Sequence, residues 1–122
     1  MSTVFLETTD TGLSFMNEAG PFVSERGTTI SNTAGNLPAA LSFAGISGAS
    51  LSNFGRVEGT GIGVHANISE SVIHNENGTI EGSDVGLKFI GLANTLVNAT
   101  FSVITGDTAV HSLGFNSHTF NS

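Results

Sequence analysis

The 122-residue chain has no cysteine, tryptophan or tyrosine, only two prolines, and only three formal cations, Arg26, Arg56 and Lys88. Each shortage removes a class of function. Without cysteine there is no disulfide framework, no thiolate metal site and no cysteine nucleophile. Three cations cannot neutralise a run of phosphates, so neither nucleic acid nor an anionic membrane surface is an expected partner. No apolar run approaches the roughly 20 residues needed to cross a bilayer as a helix, so membrane insertion is not expected. Met1-Ser2-Thr3-Val4 lacks the charged and apolar regions of a signal peptide. Charged residues are 11% of the chain, but hydrophobic residues are 39%, too many for a disordered segment.

What is abundant is Gly, 16 residues, and Phe, 9 residues, in a chain of formal net charge -7. These residues recur with a period. Leu13, Leu41, Val64, Leu87 and Val110 are 28, 23, 23 and 23 residues apart. Two positions on lie Phe15, Phe43, Ala66, Phe89 and Ser112. A second apolar column holds Phe22, Leu51, Ile73, Leu96 and Thr119, each followed two residues later by Ser24, Asn53, Asn75, Asn98 and Asn121. Val57-Glu58-Gly59, Ile80-Glu81-Gly82 and Ile104-Thr105-Gly106 open three of the repeats, and Leu6-Glu7-Thr8 aligns with them at the start. Ile30 opens the remaining copy, whose loop is longer and includes Gly35-Asn36-Leu37-Pro38.

Inside each repeat three short segments alternate apolar and polar residues with period two, as strands do, and Gly, Asn, Ser, Thr and Asp separate them. Three strands in about 23 residues predict an all-β, right-handed parallel β-helix forming one domain over residues 1–122. Its five coils fall at about 4–26, 27–54, 55–77, 78–101 and 102–122. One repeat cannot bury its apolar positions alone, but stacked coils form continuous internal columns. Phe15, Phe43 and Phe89 are expected as an internal stack. Gly59, Gly82 and Gly106 allow the bend after the first strand of their coils. Asn53, Asn75, Asn98 and Asn121 are expected to point inward and hydrogen-bond from coil to coil as an Asn ladder.

The pattern Asn-x-x-Gly-x-Ile-x-Gly-x-x-x-Gly-[Ile/Leu/Val] is clearest in Asn75-Glu76-Asn77-Gly78-Thr79-Ile80-Glu81-Gly82 and Val85-Gly86-Leu87. It resembles the β-helix repeats of bacterial autotransporter-type passenger domains and large secreted adhesins of the pectate-lyase-like superfamily. The resemblance spans essentially the whole chain. It implies the fold and an extracellular or cell-surface location, while the superfamily's functions range from adhesins and spacers to polysaccharide lyases and epimerases.

Stacking also aligns polar side chains, so clusters arise automatically. Glu58 and Glu81 take equivalent outward positions on neighbouring coils, and Asp84 and Asp107 do so in the following turn. Such carboxylates suit a solvated acidic face, a hard cation such as calcium, or acid–base chemistry on a sugar. Calcium is the one candidate ion, and no cofactor is otherwise expected. Outward beside the Leu13 column stand Ser14, Ser42, His65, Lys88 and His111. The superfamily resemblance would cast Lys88 as a base, with His65 and Glu81 assisting, in a lyase. Against that, the chain has few cations to hold an acidic substrate, and His65 and His111 lie roughly 10 Å apart, too far to share a metal. Asn67, Asn77 and Asn98 match the N-glycosylation consensus.

A free β-helix end is an open strand edge. The first coil begins at Val4-Phe5-Leu6-Glu7 and the last runs through Thr119-Phe120-Asn121, which predicts further turns in a longer chain or head-to-tail stacking on a second copy. Val4, Phe5, Val97 and Phe120 are the candidate interface residues. The expected function is therefore a non-enzymatic structural or adhesive β-helix module that self-associates end to end. A carbohydrate-binding or carbohydrate-active β-helix, with polysaccharide as partner, and a calcium-stabilised surface repeat are the alternatives.

Overall fold

The computed structural model describes residues 3–18, 20–35, 37–45, 47–99, 101–113 and 118–121, with backbone alone at 118, 120 and 121. Every strand pair in it is parallel. Numbered in chain order, the strands form three sheets. Sheet A contains β1 (Val4–Phe5), β3 (Phe22–Ser24), β6 (Ser50–Asn53), β9 (Val72–Asn75), β12 (Thr95–Asn98) and β15 (His118–Asn121). Sheet B contains β4 (Thr29–Ser31), β7 (Arg56–Gly59), β10 (Thr79–Gly82) and β13 (Val103–Thr105). Sheet C contains β2 (Leu13–Met16), β5 (Ala39–Ala44), β8 (Ile62–Asn67), β11 (Val85–Phe89) and β14 (Thr108–Ser112). The chain visits B, C and A in turn, which makes it a parallel β-solenoid. Among the described residues there is no helix, and so none long and apolar enough to cross a membrane.

The columns read from the sequence are the registers of the sheets. Leu13 pairs with Leu41, Leu41 with Val64, Val64 with Leu87, and Leu87 with Val110. Phe22, Leu51, Ile73 and Leu96 stack in sheet A, and Ile30, Val57, Ile80 and Ile104 in sheet B. The interior members of all three columns are essentially inaccessible: Ile30, Leu41, Val57, Val64, Ile80, Leu87 and Leu96 are each 0% exposed. Fully burying a side chain of this size stabilises by about 1.5–3 kcal/mol, so the columns supply most of the driving force for stacking. The expected Phe stack is smaller than the sequence reading has it. Phe15 and Phe43 stack with centroids 5.9 Å apart, and Phe22 of sheet A joins them at 4.6 and 4.9 Å. Ala66 intervenes before Phe89, so Phe89 stands apart in the same column.

The first turn departs from the expected alignment. β1 pairs with β3 in sheet A, Val4 opposite Phe22 and Phe5 opposite Val23. Leu6 therefore follows on beneath Ser24, and its amide donates to the Val23 carbonyl. The sheet B position belongs to Thr9, which makes an isolated bridge to Ile30. The likeness of Leu6-Glu7 to Val57-Glu58 is thus overridden by backbone pairing three residues out of that register. Four turns carry all three strands, and the turn before them has only the Thr9 bridge in sheet B. The structure accordingly has about four regular turns instead of five.

Inside sheet A the Asn ladder is present. Asn53 Nδ2 donates to Asn75 Oδ1 at 2.9 Å, and Asn75 Nδ2 donates to Asn98 Oδ1 at 2.9 Å. The Ser24 hydroxyl donates to Asn53 Oδ1 and ends the ladder toward the N-terminus. Each of these two amides also reaches the start of the sheet B strand one rung further on, Asn53 to the Thr79 carbonyl at 3.2 Å and Asn75 to the Val103 carbonyl at 3.1 Å. Ser24, Asn53 and Asn75 are 0% exposed. The backbone of Asn121 continues the register opposite Asn98, but its side chain lies outside the described residues. Gly78 lets the next corner close on this ladder, because a Cβ there would sit 2.7 Å from Asn53 Nδ2. At the B-to-C corner a Cβ on Gly59 would overlap the Ile62 carbonyl oxygen, and one on Gly82 the Val85 carbonyl oxygen. These glycines serve close approach between backbone segments.

Replacing Asn75 by alanine strands the amide of Asn53 and the carbonyl of Asn98 without their shared partner. The expected loss is about 2–4 kcal/mol in a urea unfolding series, since two buried polar groups lose a bond at once. Asn67→Ala, at an exposed position at the end of β8, is expected to change stability by less than about 0.5 kcal/mol. Equal losses in the two variants would refute the ladder's structural role.

Candidate functional site

The two acidic positions on sheet B are neighbours, as their spacing requires: Glu58 pairs in register with Glu81. They do not face solvent alone. Arg56 projects from the same face two residues before Glu58, its Nε 3.3 Å from Glu58 Oε2, and its Nη2 contacts Glu81 Oε1. One guanidinium thus bridges two rungs. Its hydrogen bond to Glu58, followed by the charge of Glu81, raises the Arg56 pKa above its usual value. Exposed ion pairs of this kind contribute about 0–1 kcal/mol, so the bridge organises the face more than it stabilises the fold. Beside it lies a shallow depression of about 290 Å³ lined by Thr33, Glu58, Thr60, Glu81 and Ser83.

Asp84 and Asp107 stand one rung apart at the following corner, beside the Val85–Thr108 pair. They are separate from the Glu58/Glu81 pair, whose carboxylates are already met by Arg56. Among the described residues, no three His, Cys, Asp or Glu side chains come together as a metal-binding group.

On sheet C the outward column is Ser14, Ser42, His65, Lys88 and His111, each paired in register with the next. The strand holding Lys88 separates the two that hold His65 and His111. Partial burial, and to a lesser degree the charge of Lys88, push the His65 pKa below its usual 6.5. The column lies on a different sheet from Glu81, so the three residues cast above as lyase groups do not share one face.

Of the candidate interface residues, Val4 is half-buried against the core and Phe5 is 60% exposed. Val97 is half-buried in the outward column of sheet A, and Phe120 pairs with it through the backbone, its side chain lying outside the described residues. The N-terminal face holds a basin of about 380 Å³ whose apolar lining is Val4, Phe5, Leu6, Leu13 and Phe15. Of the three glycosylation matches, Asn67 and Asn77 are exposed, whereas Asn98 belongs to the ladder.

Two buried polar links at other corners escaped the sequence reading. Asn32, 1% exposed, accepts from the Thr60 amide at 2.8 Å and donates to the Leu37 carbonyl at 2.6 Å, tying down the longer loop of its turn. Ser71 donates to Asn94 Oδ1 from both its amide, at 2.9 Å, and its hydroxyl, at 2.6 Å. Ser71 and Asn94 are 23 residues apart, so one more column, immediately before Val72 and Thr95, would have exposed them.

No known protein family, curated protein or solved structure matches this chain.

The depressed pKa of His65 gives a pH dependence with a definite sign. Below the ordinary value of 6.5 the unfolded chain takes up a proton that the folded chain still resists, so stability falls with pH from about 6.5 downward until the lower folded pKa is passed. Melting curves at pH 7.5 and pH 5.5 should therefore show a smaller acid-induced drop in the His65→Gln variant than in the wild type. An identical drop in both would remove His65 from the account.

Proposed function

We propose that this chain is a non-catalytic structural or adhesive β-solenoid module of an extracellular or cell-surface protein, and that its end rungs receive further solenoid turns. The occupant is a second copy stacked end to end, or adjoining turns of one longer chain. The bacterial adhesin and passenger-domain character carried by the repeat pattern belongs to this same reading.

The observation that carries it is the contrast between inner and outer rungs. Inner columns are closed, whereas Val4, Leu13 and Phe15 at one end, and Ile104 and Val110 at the other, are only partly buried. Each of these is the terminal member of a core column or its neighbour, and a further rung would bury it in the same way as its interior counterparts. The edge strands β2 and β14 each have a neighbour on one side only. Open parallel edges with an apolar floor favour pairing with another edge of the same kind. Heterologous stacking of this sort does not close on itself and generates filaments.

The non-catalytic part of the reading draws on the engagement of Glu58 and Glu81 by Arg56, and on the separation of Glu81 from the His65/Lys88 column onto another sheet. The calcium alternative loses its Glu58/Glu81 half to the same guanidinium. The expectation is a melting temperature that neither millimolar calcium nor a chelator shifts, and a rise with calcium would reinstate that alternative.

For the stacking itself, sedimentation velocity over a hundredfold concentration range should show association that grows with concentration, with rods by electron microscopy. Phe5→Asp places a charge on the exposed rim of the N-terminal basin and should weaken that association while leaving the melt unchanged. A strict monomer at every concentration, with no rods, would reject self-association.

A further inference from the structure

Asn77 and Gly78 form the one Asn-Gly step in the chain, and the fold sets it on the A-to-B corner between β9 and β10. Glycine is required at the second position, because a Cβ there would lie 2.5 Å from the Asn53 carbonyl oxygen. Asn77 takes a left-handed φ of 54°, which asparagine tolerates better than most residues, and it is exposed. Water reaches it through a cleft of about 200 Å³ that it lines with Val23, Glu25, Arg26 and Phe54.

The two groups of this step that can react with each other are both unengaged. Among the described residues, no hydrogen bond holds the Asn77 carboxamide or the Gly78 N–H, although the amides of Glu76 and Thr79 donate to the Asn53 and Gly55 carbonyls at 2.9 Å each. The ladder asparagines are the contrast. Asn53, Asn75 and Asn98 bind neighbouring rungs through their carboxamides, so losing ammonia from one of them would break the ladder first. Asparagine is a thermolabile residue, and a following glycine removes the side chain that would hinder attack by its own nitrogen.

We propose that Asn77 is a self-modification site, converting in the folded protein to aspartate and isoaspartate through a cyclic imide. Hydroxide takes the Gly78 amide proton, and the nitrogen attacks Asn77 Cγ. The new N–Cγ bond forms, the Cγ–Nδ2 bond breaks, and the leaving nitrogen departs as ammonia with a proton from water, which regenerates hydroxide. Water then opens the ring at Cγ, giving aspartate rebuilt on the original main chain after cleavage of the new bond's carbonyl side. Opening at the Asn77 backbone carbonyl gives isoaspartate, with one methylene more in the main chain. The fold has room for that methylene. Its A-to-B corners span residues 25–28, 54–55, 76–78 and 99–102, so the lengthened corner stays within their range. The Val103 amide holds the Gly78 carbonyl at 3.0 Å, a group the reaction leaves untouched. Either product adds one negative charge to a chain of formal net charge -7, in a cleft lined by Arg26, which has no ion pair among the described residues. The site lies away from the end rungs and does not rest on the stacking described above.

The test follows the folded 122-residue chain at physiological temperature in mildly alkaline buffer, with samples drawn over weeks. Trypsin cuts after Arg56 and Lys88, so one peptide, residues 57–88, carries Asn67, Asn75 and Asn77 as standards for one another. Electron-transfer mass spectrometry reads each site and separates aspartate from isoaspartate. Asn77 should lose its amide with isoaspartate as the larger product, while the exposed Asn67, followed by Ile68, and the laddered Asn75 keep theirs. An exposed corner opens locally at little cost, so conversion in the folded chain should run within about tenfold of its rate in urea. Asn77→Gln should abolish the loss from this peptide, because glutamine must close a larger ring, and the wild-type comparison stands if that variant does not fold. The converted chain should keep its β-sheet circular dichroism. Loss of amide at Asn67 as fast as at Asn77 overturns the proposal, as does conversion of Asn77 more than about tenfold slower in the folded chain than in urea. Collapse of the β-sheet spectrum as isoaspartate accumulates overturns the corner's tolerance of it.

Discussion

In a parallel solenoid, a polar group facing the interior has one source of partners, the rung directly above or below. That constraint governs this molecule. Stacked strands are about 4.8 Å apart, which is too far for two backbones to serve an inward side chain and about right for one side-chain amide to reach the next. Asparagine meets the requirement because its amide donates on one side and accepts on the other, so identical residues in successive rungs satisfy one another. Asn53 and Asn75 orient the same way, carbonyl toward the N-terminal rung and NH2 toward the C-terminal one, and Asn98 likewise presents its carbonyl to Asn75. The second hydrogen of the Asn53 and Asn75 NH2 reaches the sheet B strand one rung further on, so a single side chain fixes rung spacing and corner position together, and Asn98 donates to the Ser102 carbonyl in its own corner.

The same constraint sets the ends of the ladder. Ser24 can close it because a hydroxyl donates to Asn53 and requires nothing further from an apolar neighbour such as Leu6. Around this polar seam, the apolar columns need only be of the right size. Leu, Ile and Val interchange freely in them, and Ala66 replaces Phe without disturbing the register. Packing thus supplies the energy, and hydrogen bonding supplies the alignment. The outward face inherits that alignment: Glu58, Glu81 and Arg56 are brought together by register alone, as are His65 and Lys88.

Most of the fold is legible in the sequence because a fixed spacing of 23 carries both the apolar columns and the Asn positions. Legibility fails where a residue's type does not report its environment. Thr9 takes a sheet B position usually held by Ile or Val, so the hydrophobic pattern points to Leu6 instead, three residues away. Asn32 and Asn94 resemble ordinary turn residues, and only their burial distinguishes them from the exposed Asn67 and Asn77. The Arg56 bridge follows from outward alternation within β7 combined with the register to β10, but it requires a long side chain to span two rungs. The short Phe54-Gly55 corner can be counted from the sequence.

The ladder is open to direct observation through its own protons. Side-chain amide exchange, followed by NMR on uniformly labelled protein, separates Asn Nδ2 hydrogens sealed between rungs from those in water. The hydrogens of Asn53 and Asn75 are predicted to persist for hours or longer and to exchange only with global unfolding, while those of Asn67 and Asn77 exchange at once. Exchange of the Asn53 and Asn75 amides as fast as that of Asn77 would contradict the account at its centre.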